Sequence, residues 1–198
     1  MTRVPYRIGM TGNIATGKST VAGMLVALGA EHIDADRVAH EMIAPDGPAY
    51  DDVVAAFGEQ ILAPDGHIDR GKLGAVVFYD EAALARLESL VHPPTIEAVA
   101  RQIAASDAPV VVVEAIKLLE SGMAASYEAI WVATCAPATQ LERLMSERDL
   151  SRAEARRRIE AQPPQEEKIA RADVVIDTDC ALAETRAQVE AAWRRIPT

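Results

Sequence analysis

Gly12-Asn13-Ile14-Ala15-Thr16-Gly17-Lys18-Ser19 is a complete G-x-x-x-x-G-K-[ST] run. It lies between a short apolar stretch, Arg7–Met10, and a helical pattern that begins near Lys18. That order of strand, glycine loop and helix is the one a phosphate-binding loop requires. Its two glycines let the backbone curl so that successive N–H groups point inward. The start of the following helix adds partial positive charge at the same place. Lys18 reaches the β- and γ-phosphates of a bound nucleotide, and the Ser19 hydroxyl is the ligand offered to Mg²⁺. A glycine turn that carried Lys-Ser by accident would need neither the strand before it nor the helix after it.

Outward from this loop, the apolar segments are of two kinds. Short runs occur at Arg7–Met10, Glu31–Ile33, Val110–Val113, Ile130–Thr134 and Val174–Ile176 and read as strands. Ala-rich helical patterns separate them, at Ser19–Leu28, Asp36–Met42, Ala82–Val91, Thr95–Ala105, Ala138–Glu147, Ser151–Ala161 and Ala183–Trp193. Alternation of this kind predicts an α/β fold, a P-loop-type parallel sheet flanked by helices on both faces. The unbroken Val110–Val113 run suits a central strand buried on both sides.

Two regions depart from the alternation. Residues 43–106 carry helical patterns punctuated by Pro45, Gly58, Pro64-Asp65-Gly66 and Pro93-Pro94. They predict a helical insertion serving as a substrate-binding arm, with a helix break at the proline pair. Residues 143–169 are charged, helical and bounded by Pro163-Pro164, which fits either a mobile lid or a solvated helix pair. The expectation is one domain over 1–198, with a core of about 6–42, 107–142 and 170–198.

The 198 residues are 49% hydrophobic and 25% charged, enough for one ordinary core. A net charge of −10 and 4% aromatic residues disfavour nucleic acid, because broad basic surface and stacking platforms are both lacking. Any phosphate must therefore be held by a few focused cations. Cys135 and Cys180 make neither a disulfide framework nor a metal pairing. No apolar run is long enough to span a bilayer, and the expected setting is the cytoplasm.

Several nucleotide-binding classes drop out. Asn13 is the only asparagine, so the Asn-Lys-x-Asp guanine-reading motif is impossible, and neither Asp-x-x-Gly nor Ser-Gly-Gly-Gln occurs. A small kinase or a non-catalytic nucleotide-binding protein remains. Phosphoryl transfer to a hydroxyl needs a group that orients or deprotonates it, and cations for the transferring group. Asp34 and Asp36 follow the second strand, where open α/β sheets bind ligands. Each also suits a helix N-cap. Glu114, ending the Val-rich strand, reads as a magnesium-holding acid or a loop anchor. Arg143, Arg148, Arg152, Arg156, Arg157 and Arg158 read as a phosphate clamp or as solvated i,i+4 partners. His92 precedes Pro93-Pro94 as a candidate for orienting a loop or helix start.

The chain resembles the dephospho-CoA kinase family over nearly its whole length. The resemblance is carried by Ile8–Thr20, Gly29, Ile33-Asp34-Ala35-Asp36, Pro45 with Gly47, Phe57-Gly58 and Asp65-Gly66. It continues through Asp69-Arg70, Val77-Phe78, His92-Pro93, Leu118-Leu119-Glu120 and Gln140-Leu141-Glu142-Arg143-Leu144. Ala161-Gln162, Lys168 and Ala172–Asp177 close it. It implies transfer of the ATP γ-phosphoryl group to the ribose 3′-hydroxyl of dephospho-CoA, with Mg²⁺. By the same resemblance Asp36 is the base, Lys18 and Arg143 are charge stabilisers and Ser19 is the metal ligand. Gly12, Asn13, Ile14, Ala15, Thr16, Gly17, Lys18, Ser19 and Thr20 would hold the nucleotide, and His92 the acceptor; Asp34 and Lys117, read from their own placement, are further acceptor candidates. A monomer or weak homo-oligomer is expected.

The family's loop is richer in glycine where Asn13 and Ala15 stand, and Ile116-Lys117 replaces its usual Pro-Leu. His40, Glu147 and Thr178 stand where Arg, Arg and Asn are usual, at acceptor, lid and adenine-side positions respectively. Lys117 reads either as a contact for acceptor phosphate or as an offset to Glu114 and Glu120. Another small-molecule or nucleoside kinase and an ATP-binding sensor are the competing readings.

Overall fold

The short apolar runs form strands β1 (Tyr6–Thr11), β2 (Glu31–Asp34), β3 (Val110–Glu114), β4 (Ala129–Thr134) and β5 (Val174–Asp177). The computed structural model describes residues 4–78 and 80–197. All strand pairings are parallel, and the order across the sheet is β2-β3-β1-β4-β5. Every residue of β3 is buried, as its valine run predicts, whereas the edge strands β2 and β5 each expose two residues. The helices are α1 (Lys18–Ala27), α2 (Ala35–Met42), α3 (Tyr50–Phe57), α4 (Arg70–Val77), α5 (Glu81–Ala105), α6 (Pro137–Arg148), α7 (Arg152–Glu160), α8 (Gln165–Ile169) and α9 (Leu182–Trp193).

The chain divides into two compact units, one running to Asp34 and resuming at Ile103, the other Ala35–Gln102. In the first, Ile8, Met10, Val110, Val112, Trp131 and Ile176 of the sheet pack with Val21, Met24, Leu25 and Val189 from α1 and α9. Burying such side chains stabilises by about 1.5–3 kcal/mol each. The parallel register matters for the site. It sets Asp34 beside Glu114, and Met10 beside Glu114, so three strand ends stop at one level, with the glycine loop leaving from β1, the central strand of the whole sheet.

The second unit is helical. Among its described residues there is no strand, only an isolated antiparallel bridge between Leu62 and Ile68. Asp69 caps α4 by accepting from Gly71 N (2.8 Å) and Lys72 N (3.0 Å), and Asp80 does the same for Ala82 N and Ala83 N ahead of α5.

One expectation fails here. Pro93-Pro94 does not separate two helices, because α5 runs through it from Glu81 to Ala105. The buried stripe Val91, Thr95, Ala98 and Val99 keeps helical spacing across the prolines. Packing of that stripe offsets the roughly 3 kcal/mol that an interior proline costs. Thr95 Oγ1 also donates to the Val91 carbonyl at 2.7 Å. His92 therefore lies inside a helix, half-buried, and starts neither a loop nor a helix.

Candidate active site

The loop between β1 and α1 needs glycine for steric reasons. A Cβ at Gly12 would lie 2.4 Å from the Ala133 carbonyl oxygen. Gly17 has φ +80° and caps α1. Ala15 is a non-glycine residue at φ +58°, a conformation that needs support from its surroundings. No acidic side chain occupies the first turn of α1, so its dipole is left to an anion.

Lys18 is buried, and its Nζ donates to the carbonyl oxygens of Gly12 (3.0 Å) and Asn13 (3.1 Å). These two bonds fix where its charge sits. The exposed Ser19 donates its hydroxyl to Glu114 Oε1 at 3.0 Å. Glu114 is buried, and its Oε2 lies 3.2 Å from His32 Nε2. Burial opposes charge on Glu114, but His32, Ser19 and Lys18 outweigh it and hold the carboxyl below its ordinary range. The carboxylate in turn raises the His32 imidazole above its usual value.

Ser19 Oγ and the Glu114 carboxylate are hard oxygen donors within reach of one another, with Asp34 in register beside Glu114. That set fits Mg²⁺, which takes one or two protein oxygens and fills its other positions from phosphate and water. No cluster of three or more His, Cys, Asp or Glu able to hold a metal is present among the described residues.

Arg143, on α6, lies beneath the loop. Its guanidinium donates to the Ala15 carbonyl (3.2 Å), to Thr178 Oγ1 (3.1 Å) and to the Thr178 carbonyl (2.7 Å). Thr178 is buried and donates to the Thr16 carbonyl at 2.9 Å, so this residue holds the loop's underside. Arg148, Arg152, Arg156, Arg157 and Arg158 are all exposed.

Of the residues singled out in the sequence, Gly12–Thr20, Glu114 and Asp34 lie at the C-terminal ends of β1, β3 and β2, while Arg143 joins the loop to Thr178 just after β5. Lys117 is exposed in the segment after β3. Asp36 and His92 belong to the helical unit, in the first turn of α2 and midway along α5. Sequence reasoning assigned no role to Gln140, Gln162, His32 or Lys168, all of which bear on the site. Gln140 had a legible signal, a glutamine sharing the buried face of α6 with Leu144.

A parallel sheet of this order, with the glycine loop after its central strand, Lys18 inside the loop and Ser19 on a buried acid, defines a P-loop kinase. A family model described as dephospho-CoA kinase matches residues 6–184. A dephospho-CoA kinase of Moorella thermoacetica is 45% identical over 195 residues, covering 96% of this chain and 92% of that protein. One from Geobacter sulfurreducens is 44% identical, covering 96% and 98%. The solved dephospho-CoA kinase of Campylobacter jejuni superposes with a TM-score of 0.68 at 27% identity, over 95% of each chain. The chain belongs to the dephospho-CoA kinase family. No described helix is long and apolar enough to cross a membrane.

Proposed function

We propose that this chain transfers the γ-phosphoryl group of ATP to the ribose 3′-hydroxyl of dephospho-CoA, giving CoA and ADP, the last step of CoA synthesis. The observation that carries the reading is a family match from residue 6 to residue 184, which takes in the helical unit as well as the loop. A match to the loop alone would leave the acceptor open.

The proposed roles follow from the chemistry. Loop amides from Ala15 to Ser19 receive the phosphates, and Lys18 neutralises charge that builds on the transferring group. Ser19 and Glu114 would hold Mg²⁺, which would supply positive charge against the nucleotide phosphates. Arg143 contributes fixed positive charge from beneath the loop. Asp36 accepts the proton of the acceptor hydroxyl. Asp34, His92 and Lys117 are the proposed acceptor contacts. Within segment 143–169, α7 acts as the lid that excludes water, so that ATP is not merely hydrolysed. The working setting is the cytoplasm, as a monomer or weak homo-oligomer.

The test is ADP release measured with a panel of acceptors. Dephospho-CoA should stimulate it, and mass and regiochemical analysis should place the new phosphate on the 3′-oxygen. Phosphorylation of nucleosides but not dephospho-CoA would move the assignment to another acceptor. ADP release independent of every acceptor would leave a nucleotide-binding sensor.

A further inference from the structure

Ile14 sits in the middle of the phosphate loop, yet both its main-chain polar groups are taken by glutamine side chains from outside it. Its N–H donates to Gln162 Oε1 at 2.6 Å, and its carbonyl accepts from Gln140 Nε2 at 2.8 Å. The side chain of neighbouring Asn13 donates from Nδ2 to the Pro163 carbonyl at 2.9 Å. On the other side, the Ala15 carbonyl accepts from Arg143. Peptide groups on both sides of Ile14 are thus pinned in orientation, directly before the left-handed Ala15.

The segment that presents Gln162 is itself anchored. Gln162 N closes the end of α7 on the Ile159 carbonyl at 3.1 Å. Pro163 and Pro164 then restrict the backbone that follows. Beyond them, Gln165 Nε2 donates to Thr134 Oγ1 and, at 3.2 Å, to the Cys135 carbonyl, both at the end of β4. Lys168, almost wholly buried, donates to the Ile116 carbonyl after β3 and pairs with Glu120 Oε1 at 3.1 Å. Because β1 lies between β3 and β4, residues 162–168 engage the ends of three adjacent strands.

We propose that Gln162 is a positioning residue for nucleotide binding: its amide oxygen, carried on a clasp of residues 162–168, holds the Ile14 peptide so that the following loop amides converge on phosphate. A loop that exists to present N–H groups inward turns the one at Ile14 to Gln162 and, at 3.4 Å, the one at Thr16 to the Asn13 carbonyl, which fixes the direction of the rest. Without the clasp Ala15 can relax to an ordinary backbone conformation, and the convergence of the amides after it is lost. This proposal rests on the kinase reading only for its activity readout, since nucleotide affinity is measured without any acceptor.

The test replaces Gln162 with methionine, which keeps length and bulk but offers no comparable acceptor to Ile14 N–H. Titration calorimetry with ATP and no acceptor should give an affinity roughly tenfold weaker, the size of one lost hydrogen bond. KM for ATP should rise by more than kcat falls, with KM for the acceptor little changed. Amide exchange should speed up at Ile14 and Ala15 while the amides of β1 and β3 keep their protection. Gln140→Met releases the next peptide group, Ile14–Ala15, through its carbonyl and should act in the same direction, which keeps the test open should either variant fold poorly. Nucleotide affinity within twofold of wild type in both variants would overturn the proposal. So would a joint rise of both KM values with loss of protection across β1 and β3, the signature of general loosening. If dephospho-CoA failed to stimulate ADP release by the wild-type protein, the acceptor assignment would fall and the affinity result would still decide the role of Gln162.

Discussion

The phosphate loop and the helical unit Ala35–Gln102 are held in opposite ways. Side chains that bind the loop come from far along the chain: Gln140, Arg143, Gln162 and Thr178 each lie more than 120 residues from the loop atom they touch. In the helical unit several described bonds are local. Asp69 and Asp80 cap helices two and three residues on, Lys72 reaches the Leu62 carbonyl, and Tyr50 reaches the Gly66 carbonyl sixteen residues away. A loop that must keep a strained residue and several converging amides in place needs supports from several rigid elements. Helices need mainly their own caps and a buried stripe.

If that contrast holds, substitutions in the two regions should have different signatures. The largest effect is expected from Asp36→Asn, which removes the proposed base. Turnover should fall by about 10²–10⁴-fold while calorimetric ATP affinity stays near wild type. Near-normal kcat would remove Asp36 from the mechanism. Lys18→Ala should lower kcat by about 10²–10³-fold and also weaken ATP binding, since its ammonium lies within the loop. An Lys18→Ala protein with unaltered ATP affinity would break the comparison at its functional end.

Smaller effects belong to stability. Asp69→Ala removes the cap of α4 and should cost about 1 kcal/mol, read as a Tm lower by about 2–4 °C, with ATP affinity unchanged. The weakest expected effect is a pH dependence in the first unit, at the pair of Arg7 with Glu128. The Arg7 guanidinium holds the Glu128 carboxyl below its ordinary value, against slight burial. A depressed carboxylate contributes stability above its unfolded value and loses it as pH falls through the folded one. Thermal melts of Glu128→Gln should therefore converge on wild type as pH drops below the ordinary carboxylate range. Both side chains are about one-third exposed, so the difference at neutral pH should be small. Curves that stay parallel down through the carboxylate range would exclude that pair as the source.

Most of the architecture was legible because it follows from local pattern. Runs of β-branched residues separated by Ala-rich helical stretches give strands and helices within a residue or two of the expected bounds, for instance Val110–Glu114 against Val110–Val113. The loop was legible for the same reason, since its glycines and Lys18-Ser19 are contiguous. Pro93-Pro94 was read wrongly because proline's local cost was weighed without the buried stripe that outweighs it. Thr178 departs from the family pattern at an adenine-side position, and only the structure adds that its hydroxyl holds the Thr16 carbonyl.

The amino-acid sequence alone determined the fold class, the phosphate loop and the family, because each is written in neighbouring residues or in their order. Only the tertiary structure decided that Arg143 grips the loop from below, that Glu114 joins Ser19 to His32, and that two glutamines pin Ile14. Those contacts join positions whose separation along the chain carries no signal. They exist because parallel strands bring the ends of distant segments to one edge of the sheet, where a buried polar group must find a partner.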